Sequence, residues 1–360
     1  MSTWHASAGM VPGSLSVDDG TVVLAIETSC DETAAALVMG GNDVLSSVVS
    51  SQIEVHARFG GVVPEVASRA HLESIVPVVR RAFDEAGIDT ARVDAVAATA
   101  GPGLIGALLV GVSAAKGLAL AWDRPFIGVN HLEAHMYAGM LDHPGIEFPA
   151  VVLLVSGGHT MIVHMRGPGD YAILGRTVDD AAGEAYDKVA RYLGLGYPGG
   201  PVIDRMSTEG NPQAIAFPRA MMHDGLDFSF SGLKTAVVNH VRRNTGVEDA
   251  DVAASFQAAV VDVLCAKTLR AAESAGVRTV VLGGGVAANS LLRSEMTRRG
   301  NEAGLTVALP SREMCTDNAA MIAAAAWHRL RSDGPMGLDC GAFPNLRLNE
   351  VPRGRTGAGA

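Results

Sequence analysis

Residues 22–50, VVLAIETSCDETAAALVMGGNDVLSSVVS, hold three apolar runs that are separated first by a polar turn and then by a glycine turn. Apolar runs of this length between turn residues predict three consecutive β-strands. The same order returns in residues 150–178, AVVLLVSGGHTMIVHMRGPGDYAILGRTV. Two copies of one three-strand pattern in a single chain predict a duplicated fold with two similar halves.

A helical stretch follows each copy, at residues 64–87 and 179–194, and predicted helices and strands alternate beyond both stretches. Alternating elements of this kind build sheets that helices cover, so the fold class is predicted to be α/β with two lobes. The lobes are expected to face each other across a cleft, with the polar turns of both three-strand copies pointing into it.

The repeat sets the expected boundaries along the chain. The first lobe is expected to comprise residues 21–130 and 310–332, and the second lobe residues 131–309, with an insertion at about 200–275. Two tails are expected outside the lobes: a disordered one at residues 1–20 and a flexible one, rich in Gly, Pro and Arg, at residues 333–360.

The composition favours a globular cytoplasmic protein, because 48% of the residues are hydrophobic and the four cysteines lie far apart with no C-x-x-C pair. The most apolar run, residues 104–121, contains Lys116, which favours a buried helix over a membrane span. The formal net charge of −10 predicts no strong general affinity for nucleic acid. A polynucleotide substrate would therefore need a local basic patch or a partner.

The stretch NHLEAH at residues 130–135 places His131 and His135 four residues apart. On a helix this spacing puts both imidazoles on one face, where they can bind one metal ion. It is similar to the H-E-x-x-H helix of zinc proteases, in which the glutamate directly follows the first histidine. Glu133 comes one position later, roughly 200° around the helix from His131, so it is predicted to point away from the metal.

Two other acidic residues have a structural and a functional interpretation. Asp317 precedes a predicted helix, where Asp is favoured as the N-cap, and it becomes a metal ligand only if that helix start meets His131 and His135. Asp187 and Arg191 have the spacing of a surface ion pair on a helix. The alternative for Asp187 is a role in holding ribose hydroxyls.

Three glycine-rich or acidic turns are candidates for handling a phosphate. In VSGGHT, residues 155–160, the consecutive glycines allow backbone N–H groups to turn toward an anion, although an ordinary hairpin turn explains them equally well. The matching turn of the first copy carries Asp31 and Glu32, which suit metal or proton handling or are simply polar turn residues. Residues 280–290, VVLGGGVAANS, run from a predicted strand into a helix N-terminus, a place that suits a phosphate or a nucleotide.

Many ordered stretches of the chain are similar to those of one known family. These stretches are LAIETSCDETAAAL, GGVVPEVASRAH, TAGPGLIGALLVG, NHLEAH, LLVSGGHT, DDAAGEAYDKVARYLGLGYPGGP, FSFSGLKT, GGGVAANSLLR and CTDNAAMIA. Over about residues 22–331 the chain resembles the bacterial tRNA N6-adenosine threonylcarbamoyltransferases, a family formerly named O-sialoglycoprotein endopeptidases. The resemblance implies a duplicated actin-like and Hsp70-like (ASKHA) fold, with two lobes around a nucleotide cleft.

The resemblance also implies a reaction and its partners. Members of this family transfer the threonylcarbamoyl group from threonylcarbamoyl-adenylate, which a separate synthase makes, to the N6 amine of the adenosine 3′ of the anticodon. Their substrates are tRNAs that read codons starting with A, and AMP is released. The family further implies a degenerate paralogue of the same fold and a small ATPase as protein partners, and no membrane.

Residue by residue, the resemblance assigns three roles. It implies that one divalent metal ion, iron in preference to zinc, is held by His131, His135 and Asp317. It implies that the donor is bound by Leu154, Val155, Ser156, Gly157, Gly158, Asp187, Gly200, Asp204 and Asn289. It implies that Asp31 and Glu32 are important for activity. Some archaeal and eukaryotic relatives have a Tyr ligand where this chain has Leu154, so the metal is expected to keep more open positions.

Two other functions stay open on the sequence. A metallopeptidase is favoured by the histidine spacing and weakened by the position of Glu133. An ATP-driven switch of the actin or chaperone type is favoured by the predicted lobes and phosphate turns. A switch protein has no need for His131 and His135, so metal binding that depends on these two residues would discriminate against it.

Overall fold

A computed structural model describes residues 16–244 and 246–350 of the chain. Its strands are β1 Val22–Glu27, β2 Glu32–Met39, β3 Asp43–Ser51, β4 Ala95–Gly101, β5 Phe126–Asn130, β6 Ala150–Val155, β7 Thr160–Gly167, β8 Asp170–Arg176, β9 Thr279–Gly283 and β10 Thr306–Ala308. Its helices are α1 Ile53–Ala57, α2 Pro64–Ala86, α3 Ile105–Trp122, α4 His131–Asp142, α5 Ala182–Tyr192, α6 Gly199–Ser207, α7 Ser231–Arg243, α8 Asp249–Ala275, α9 Ser290–Glu302, α10 Arg312–Cys315 and α11 Ala319–Asp333.

The strands form two five-stranded sheets with the same topology, in the orders β3-β2-β1-β4-β5 and β8-β7-β6-β9-β10. In each sheet the first three strands along the chain are antiparallel and the other two are parallel. The strands β1 and β6 lie at the centre and are buried along their whole length, as expected for sequences that are apolar apart from Glu27 at the end of β1. The duplicated α/β fold predicted from the repeat is therefore confirmed.

Two helices are exchanged between the halves and form the junction of the lobes. Helix α4 directly follows β5 of the first sheet, yet it packs against β9 of the second sheet. Helix α11 follows the second sheet and packs against β1 and β2 of the first, and the two helices also pack on each other. Nearly all residues of α11 are buried, and many of them are alanines. Their small side chains permit this close approach of the two helices.

Among the described residues, α3 and α8 are long and apolar enough to cross a membrane by length and composition alone. Core helices of globular proteins pass the same test, and α8 is such a helix, with most of its residues buried. Helix α3 packs on β4 with one face and exposes Ile105, Leu109 and Leu120 on the other. The prediction of a helix over 104–121 is therefore confirmed. The prediction that this helix is buried is wrong for its outer face, because the sheet covers only one side of it.

The C-terminal segment, residues 334–350, lies against the first lobe. The Met336 N–H donates to the Phe126 carbonyl at 2.8 Å, and the side chains of Leu346 and Leu348 are buried. The expectation of a flexible tail rested on composition alone, whereas this segment is held by buried leucines and by hydrogen bonds to β4 and β5. Residues 16–20 of the expected N-terminal tail are also described, and the Asp18 carbonyl accepts a hydrogen bond from Trp327 Nε1 at 3.0 Å. Residues 1–15 and 351–360 of the two expected tails lie outside the described residues.

Candidate metal and nucleotide site

Three side chains that are distant in sequence meet at the junction of the lobes. His131 and His135 lie on one face of α4, and Asp317 lies just before α11. The Asp317 Oδ1 atom is 3.5 Å from His131 Nε2 and 3.2 Å from His135 Nε2. One ligand atom from each residue falls within 4.8 Å of the others, a spacing that suits a single metal ion.

The structural interpretation of Asp317 as a helix N-cap is wrong. The cap of α11 is the next residue, Asn318, whose side-chain oxygen accepts a hydrogen bond from the Met321 N–H at 3.0 Å. Both residue types are favoured at an N-cap, so the sequence could not choose between them. Because Asn318 caps the helix, the carboxylate of Asp317 is left to face the two histidines.

A buried carboxylate that the sequence analysis missed orients the first histidine. Glu27 Oε2 lies 2.9 Å from His131 Nδ1, and Glu27 also accepts hydrogen bonds from the Thr99 hydroxyl and the Ser29 N–H. This bond fixes the ring so that Nε2 is turned toward Asp317. Metal-binding histidines commonly have such a partner on the other ring nitrogen. The available signal was a glutamate at the end of the otherwise apolar run VVLAIE.

The second histidine supplies the test of whether these residues fit a metal ion. His135 is fully buried, and neither of its ring nitrogens makes a well-formed hydrogen bond with any described residue. Its 3.2 Å approach to Asp317 lacks hydrogen-bond geometry. A ring nitrogen and a carboxylate oxygen that lie this close without a hydrogen bond are expected where both are ligands of one cation. The residues therefore fit a divalent metal ion.

The electrostatics of the cluster favour a positive charge at this point. Burial alone would lower the pKa of His131, but Asp317 and Glu27 raise it well above its usual value. Burial would raise the pKa of Asp317, yet the two histidines hold it well below its usual value. The pKa of His135 is lowered, chiefly by burial, which keeps its ring neutral and able to donate a lone pair.

Glu133 points to the opposite side of α4, as its position predicts. Its Oε1 atom accepts hydrogen bonds from Arg329 Nε at 2.8 Å and from the Tyr171 hydroxyl at 2.7 Å. Arg329 belongs to α11, so this buried ion pair joins α4, which carries the histidines, to α11, which begins just after Asp317. Glu133 is thus a structural partner of α11 and is not available to a ligand of the metal cluster.

The acidic turn between β1 and β2 carries Asp31 and Glu32. Asp31 is buried, and the Ser51 hydroxyl donates to Glu32 at 3.1 Å. Burial, with the neighbouring carboxylates of Asp317 and Asp31, raises the pKa of Glu32 to about 9. At neutral pH this pair of carboxyl groups therefore holds a proton, which is an arrangement typical of acid–base sites.

The glycine-rich turns of the second lobe meet at the ends of β6 and β9. An added Cβ at Gly284, which has φ +88°, would lie 2.5 Å from the Val155 carbonyl oxygen. An added Cβ at Gly183 would lie 2.6 Å from the Ser156 carbonyl oxygen, so the N-terminus of α5 also packs directly on the VSGG turn. Gly157 and Gly158 are exposed on this turn, while Leu154 and Val155 before it are buried strand residues.

The metal cluster, formed by His131, His135 and Asp317, is adjacent to the glycine turns. An added Cβ at Gly283 would lie 2.5 Å from the carbonyl oxygen of His135. Burial lowers the pKa of His159, at the end of the VSGGH turn, to about 4, and the nearby His131 and His135 also lower it, which places this turn beside the two histidines. A nucleotide phosphate on the turn would therefore lie beside the metal cluster.

The other predicted donor contacts form a connected group on the second lobe. Asp204 accepts hydrogen bonds from Ser290 Oγ at 2.7 Å and from Gln257 Nε2 at 3.1 Å. Asn289 Nδ2 donates to Gln257 Oε1 at 2.7 Å. Gln257, which lies on α8 and which sequence reasoning missed, thus links Asp204 to Asn289. Gly200, the second residue of α6, has open space at its Cβ position.

Asp187 does not form the surface pair that its spacing predicts. Its Oδ1 atom accepts a hydrogen bond from the Gly199 N–H at 2.7 Å. Arg191 instead donates to the carbonyl of Gly60 in the first lobe. The carboxylate of Asp187 therefore links α5 to the start of α6, beside Gly200, and its role in binding a ligand stays a prediction.

A family model described as TsaD, tRNA N6-adenosine threonylcarbamoyltransferase, matches residues 43–324 of the chain. The chain is 59% identical over 336 residues to a tRNA N6-adenosine threonylcarbamoyltransferase of Moorella thermoacetica, covering 91% of this chain and 98% of that relative. It is 54% identical over 330 residues to one of Symbiobacterium thermophilum, covering 91% of this chain and 97% of that relative.

Among solved structures, HypF of T. kodakarensis is similar to the chain with a TM-score of 0.62. The match covers 90% of this chain and 50% of that one, at 15% sequence identity. At this identity the likeness shows the fold alone. It agrees with the two lobes of like topology that form the actin-like fold.

Proposed function

Because the chain belongs to the TsaD family of tRNA N6-adenosine threonylcarbamoyltransferases, and is thus a transferase that modifies tRNA, we propose the following reaction for it. The threonylcarbamoyl group passes from threonylcarbamoyl-adenylate to the N6 amine of the adenosine 3′ of the anticodon, in tRNAs that read codons starting with A. AMP is released. The observation that supports this best is the direct packing of the His135 backbone on Gly283, which joins the metal cluster to the nucleotide turns.

The proposed cofactor is one divalent metal ion held by His131, His135 and Asp317, with iron favoured and zinc as the alternative. Glu27 holds the His131 ring in the orientation that ligation needs. When bound, the ion supplies Lewis-acid stabilisation of the donor oxygens. The site has three protein ligands, and Leu154 adds none, so positions stay open for donor atoms or water.

The residues of the second lobe are proposed to bind and orient the donor. The backbone N–H groups of Gly157 and Gly158 and the N-terminus of α5 suit the adenylate phosphate, whereas the Ser156 N–H donates to the His159 carbonyl at 2.8 Å and closes the turn. Asp187 lies one turn of α5 beyond that N-terminus, where it suits the ribose hydroxyls. Asp204 and Asn289, linked by Gln257, close the same side of the cleft.

In the proposed reaction the N6 nitrogen attacks the carbamoyl carbon, and the bond from that carbon to the phosphate oxygen breaks with its electron pair leaving on AMP. The N6 proton goes to the carboxyl pair, with Asp31 as the acceptor. An aromatic amine is a weak nucleophile, so orientation of both substrates is expected to supply much of the rate. The anticodon loop is single-stranded, and its adenosine can enter a cleft without disruption of a helix.

The metallopeptidase alternative lacks the base that it would need. The glutamate of the histidine helix, Glu133, is on the wrong face and is paired with Arg329. The switch-protein alternative is not favoured either, because a nucleotide-driven switch gives no reason for a buried histidine beside the phosphate turn that has no hydrogen-bond partner in the described part of the chain.

Loss of the protein is expected to remove the modified nucleoside from tRNA. Depletion in the source cells, followed by mass spectrometry of nucleosides from total tRNA, should show threonylcarbamoyladenosine falling with the protein level. Re-expression of the natural chain should restore it, and expression of the His135→Ala variant should not. Persistence of normal threonylcarbamoyladenosine after full depletion would contradict the proposed function.

The proposed protein partners are a degenerate paralogue of the same fold and a small ATPase. Helix α2 exposes Leu72 and Val76, which are 64% and 62% accessible, and the neighbouring α3 exposes Ile105 and Leu109. Apolar side chains grouped on two adjacent helices are typical of a protein interface. This face, with the stretch Val76–Ala86, is the proposed docking surface for the paralogue.

The isolated chain is expected to modify tRNA poorly, because its net charge of −10 repels tRNA and a partner must add contacts. Reconstitution at physiological salt with the donor synthase, the paralogue and the ATPase should restore turnover. The double variant Leu72→Glu, Val76→Glu should lose this activation and the co-elution of the paralogue. Ile173→Glu, an exposed apolar position on β8, is the control and should keep both. Full turnover by the isolated chain would contradict the prediction.

A further inference from the structure

The loop between α1 and α2 reaches from the first lobe to the second. Its tip turns through Gly60 and Gly61, whose φ values of +67° and +157° favour glycine. The Gly60 carbonyl accepts a hydrogen bond from Arg191 at the end of α5. The two residues before the glycines, Arg58 and Phe59, are exposed, and Phe59 is 55% accessible. A large exposed ring therefore stands where the two lobes touch.

The surface continues on the second lobe with residues of the same two kinds. Tyr192 follows Arg191 on α5 and is exposed, and the Arg242 guanidinium lies 6.0 Å from the centre of its ring. Arg243, beside it at the end of α7, is also exposed. We name the aromatic–arginine surface as the set Arg58, Phe59, Arg191, Tyr192, Arg242 and Arg243.

The four arginines of this surface have no ion-pair partner among the described residues, and Arg191 acts on the Asp187 carboxyl only through its charge, which opposes the rise that burial causes in the pKa of that group. None of them forms an ion pair with a carboxylate within residues 16–244 and 246–350. Other arginines of the second lobe, such as Arg298 and Arg299, are paired with glutamates or aspartates. In a chain with a net charge of −10, four unpaired arginines on one surface make a local basic patch.

The surface lies a short distance from the proposed nucleotide turn. Gly183, near the start of α5, packs on the VSGG turn, and Arg191 is eight residues further along the same helix. At 1.5 Å per residue this separation is about 12 Å. A distance of this order is short compared with the length of an anticodon loop in an extended conformation. The neighbours of a base that enters the cleft can therefore reach the surface.

We infer that the aromatic–arginine surface binds the anticodon loop of the tRNA substrate, an inference that rests on the proposed function. Phe59 stacks on an unpaired base next to the target adenosine, and the arginines contact the phosphates around it. Aromatic side chains next to arginines are typical of sites that bind single-stranded RNA, because bases stack on the aromatic rings and guanidinium groups pair with the phosphates. An acidic or apolar protein partner would leave either the rings or the charges unused.

The test measures RNA binding and turnover separately. A labelled anticodon stem-loop is titrated with the full chain over a range of salt concentrations, and KM for tRNA and kcat are measured in the assembly with its partners. Phe59→Ala should weaken RNA binding and raise KM by about tenfold with little change in kcat, whereas Phe59→Trp should keep both. Arg242→Glu should raise KM and lower the salt slope by about one. Arg278→Glu, at the far end of β9, is the matched control and should change neither.

Each other outcome has a defined meaning. If the assembly turns over and Phe59→Ala and Arg242→Glu keep the natural KM and RNA affinity, the surface is not the RNA site, although the transferase function stands. If these variants keep RNA affinity but lose a protein partner, the surface binds protein and the inference is overturned. If the natural assembly transfers nothing, the proposed function fails, and the stem-loop titration alone decides the inference. Adenylate affinity and metal content should stay unchanged throughout.

Discussion

Changing His135 to Ala is expected to remove most of the bound metal and most of the transfer activity while the fold stays intact. The side chain is fully buried, yet its ring nitrogens make no well-formed hydrogen bond within the described part of the chain. Its loss therefore breaks no well-formed hydrogen bond of the fold, and the polar contact that it removes is the one with Asp317. Elemental analysis of the purified variant, together with thermal unfolding, measures the two effects independently.

Variants around His135 should form a graded series. Glu27→Gln keeps all three ligands but loses the negative partner of His131, so metal affinity should fall by roughly 10- to 100-fold. His135→Ala removes a ligand and should cost more than that. His143→Ala, at the C-terminal end of the same helix, is the control and should keep full metal content. Stoichiometric metal in the double variant His131→Ala, His135→Ala would exclude the cluster as the metal site.

The parts of this site that follow from local pattern could be predicted from the sequence. The shared face of His131 and His135 and the outward direction of Glu133 depend only on helical periodicity. The duplication depends only on a repeated order of strands and turns. The histidine face is encoded within one short helix, and the duplication is encoded in two similar stretches of sequence, at residues 22–50 and 150–178. No knowledge of the tertiary arrangement is therefore needed to find them.

The parts that depend on tertiary packing could not be predicted in this way. Glu27 reaches His131 because β1 and β5 flank β4 in one sheet, and a strand order cannot be read from a strand's own sequence. Gln257 comes to Asp204 and Asn289 only because α8 packs on α6 and α9. The same holds for Arg191, whose partner is not the aspartate one turn away but a carbonyl of the other lobe.

The N-cap of α11 shows a different limit. Asp317 and Asn318 are adjacent and are both good N-caps, and the free-energy difference between them at this position is small. The choice is made by the surroundings, since two histidines attract the carboxylate and leave the amide to cap the helix. A functional residue can therefore look structural when its neighbour is able to take over the structural role.

Asp31→Asn and Glu32→Gln are expected to differ strongly, although the two carboxyl groups are neighbours. Glu32 has a pKa of about 9, so it is protonated at neutral pH and a neutral Gln resembles its working state. Asp31 is the proposed proton acceptor, and its amide cannot accept the N6 proton. In the assembled enzyme Asp31→Asn should lower kcat by about 10²- to 10⁴-fold. Glu32→Gln should have a much smaller effect, and donor affinity and metal content should be unchanged in both.

The same assignment predicts how stability varies with pH. The pKa of Glu32 is raised in the folded state from its ordinary value of 4.5, so between these values the folded state holds a proton that the unfolded state has lost. Stability contributed by this group is therefore fully present below about pH 4.5 and is lost as the pH rises toward about 9. Denaturant unfolding at several pH values should show a shallower decline of the unfolding free energy with pH for Glu32→Gln than for the natural protein.

The kcat measurements on the same two variants test the proton acceptor. A larger loss of kcat in Glu32→Gln than in Asp31→Asn would make Glu32, and not Asp31, the acceptor of the N6 proton.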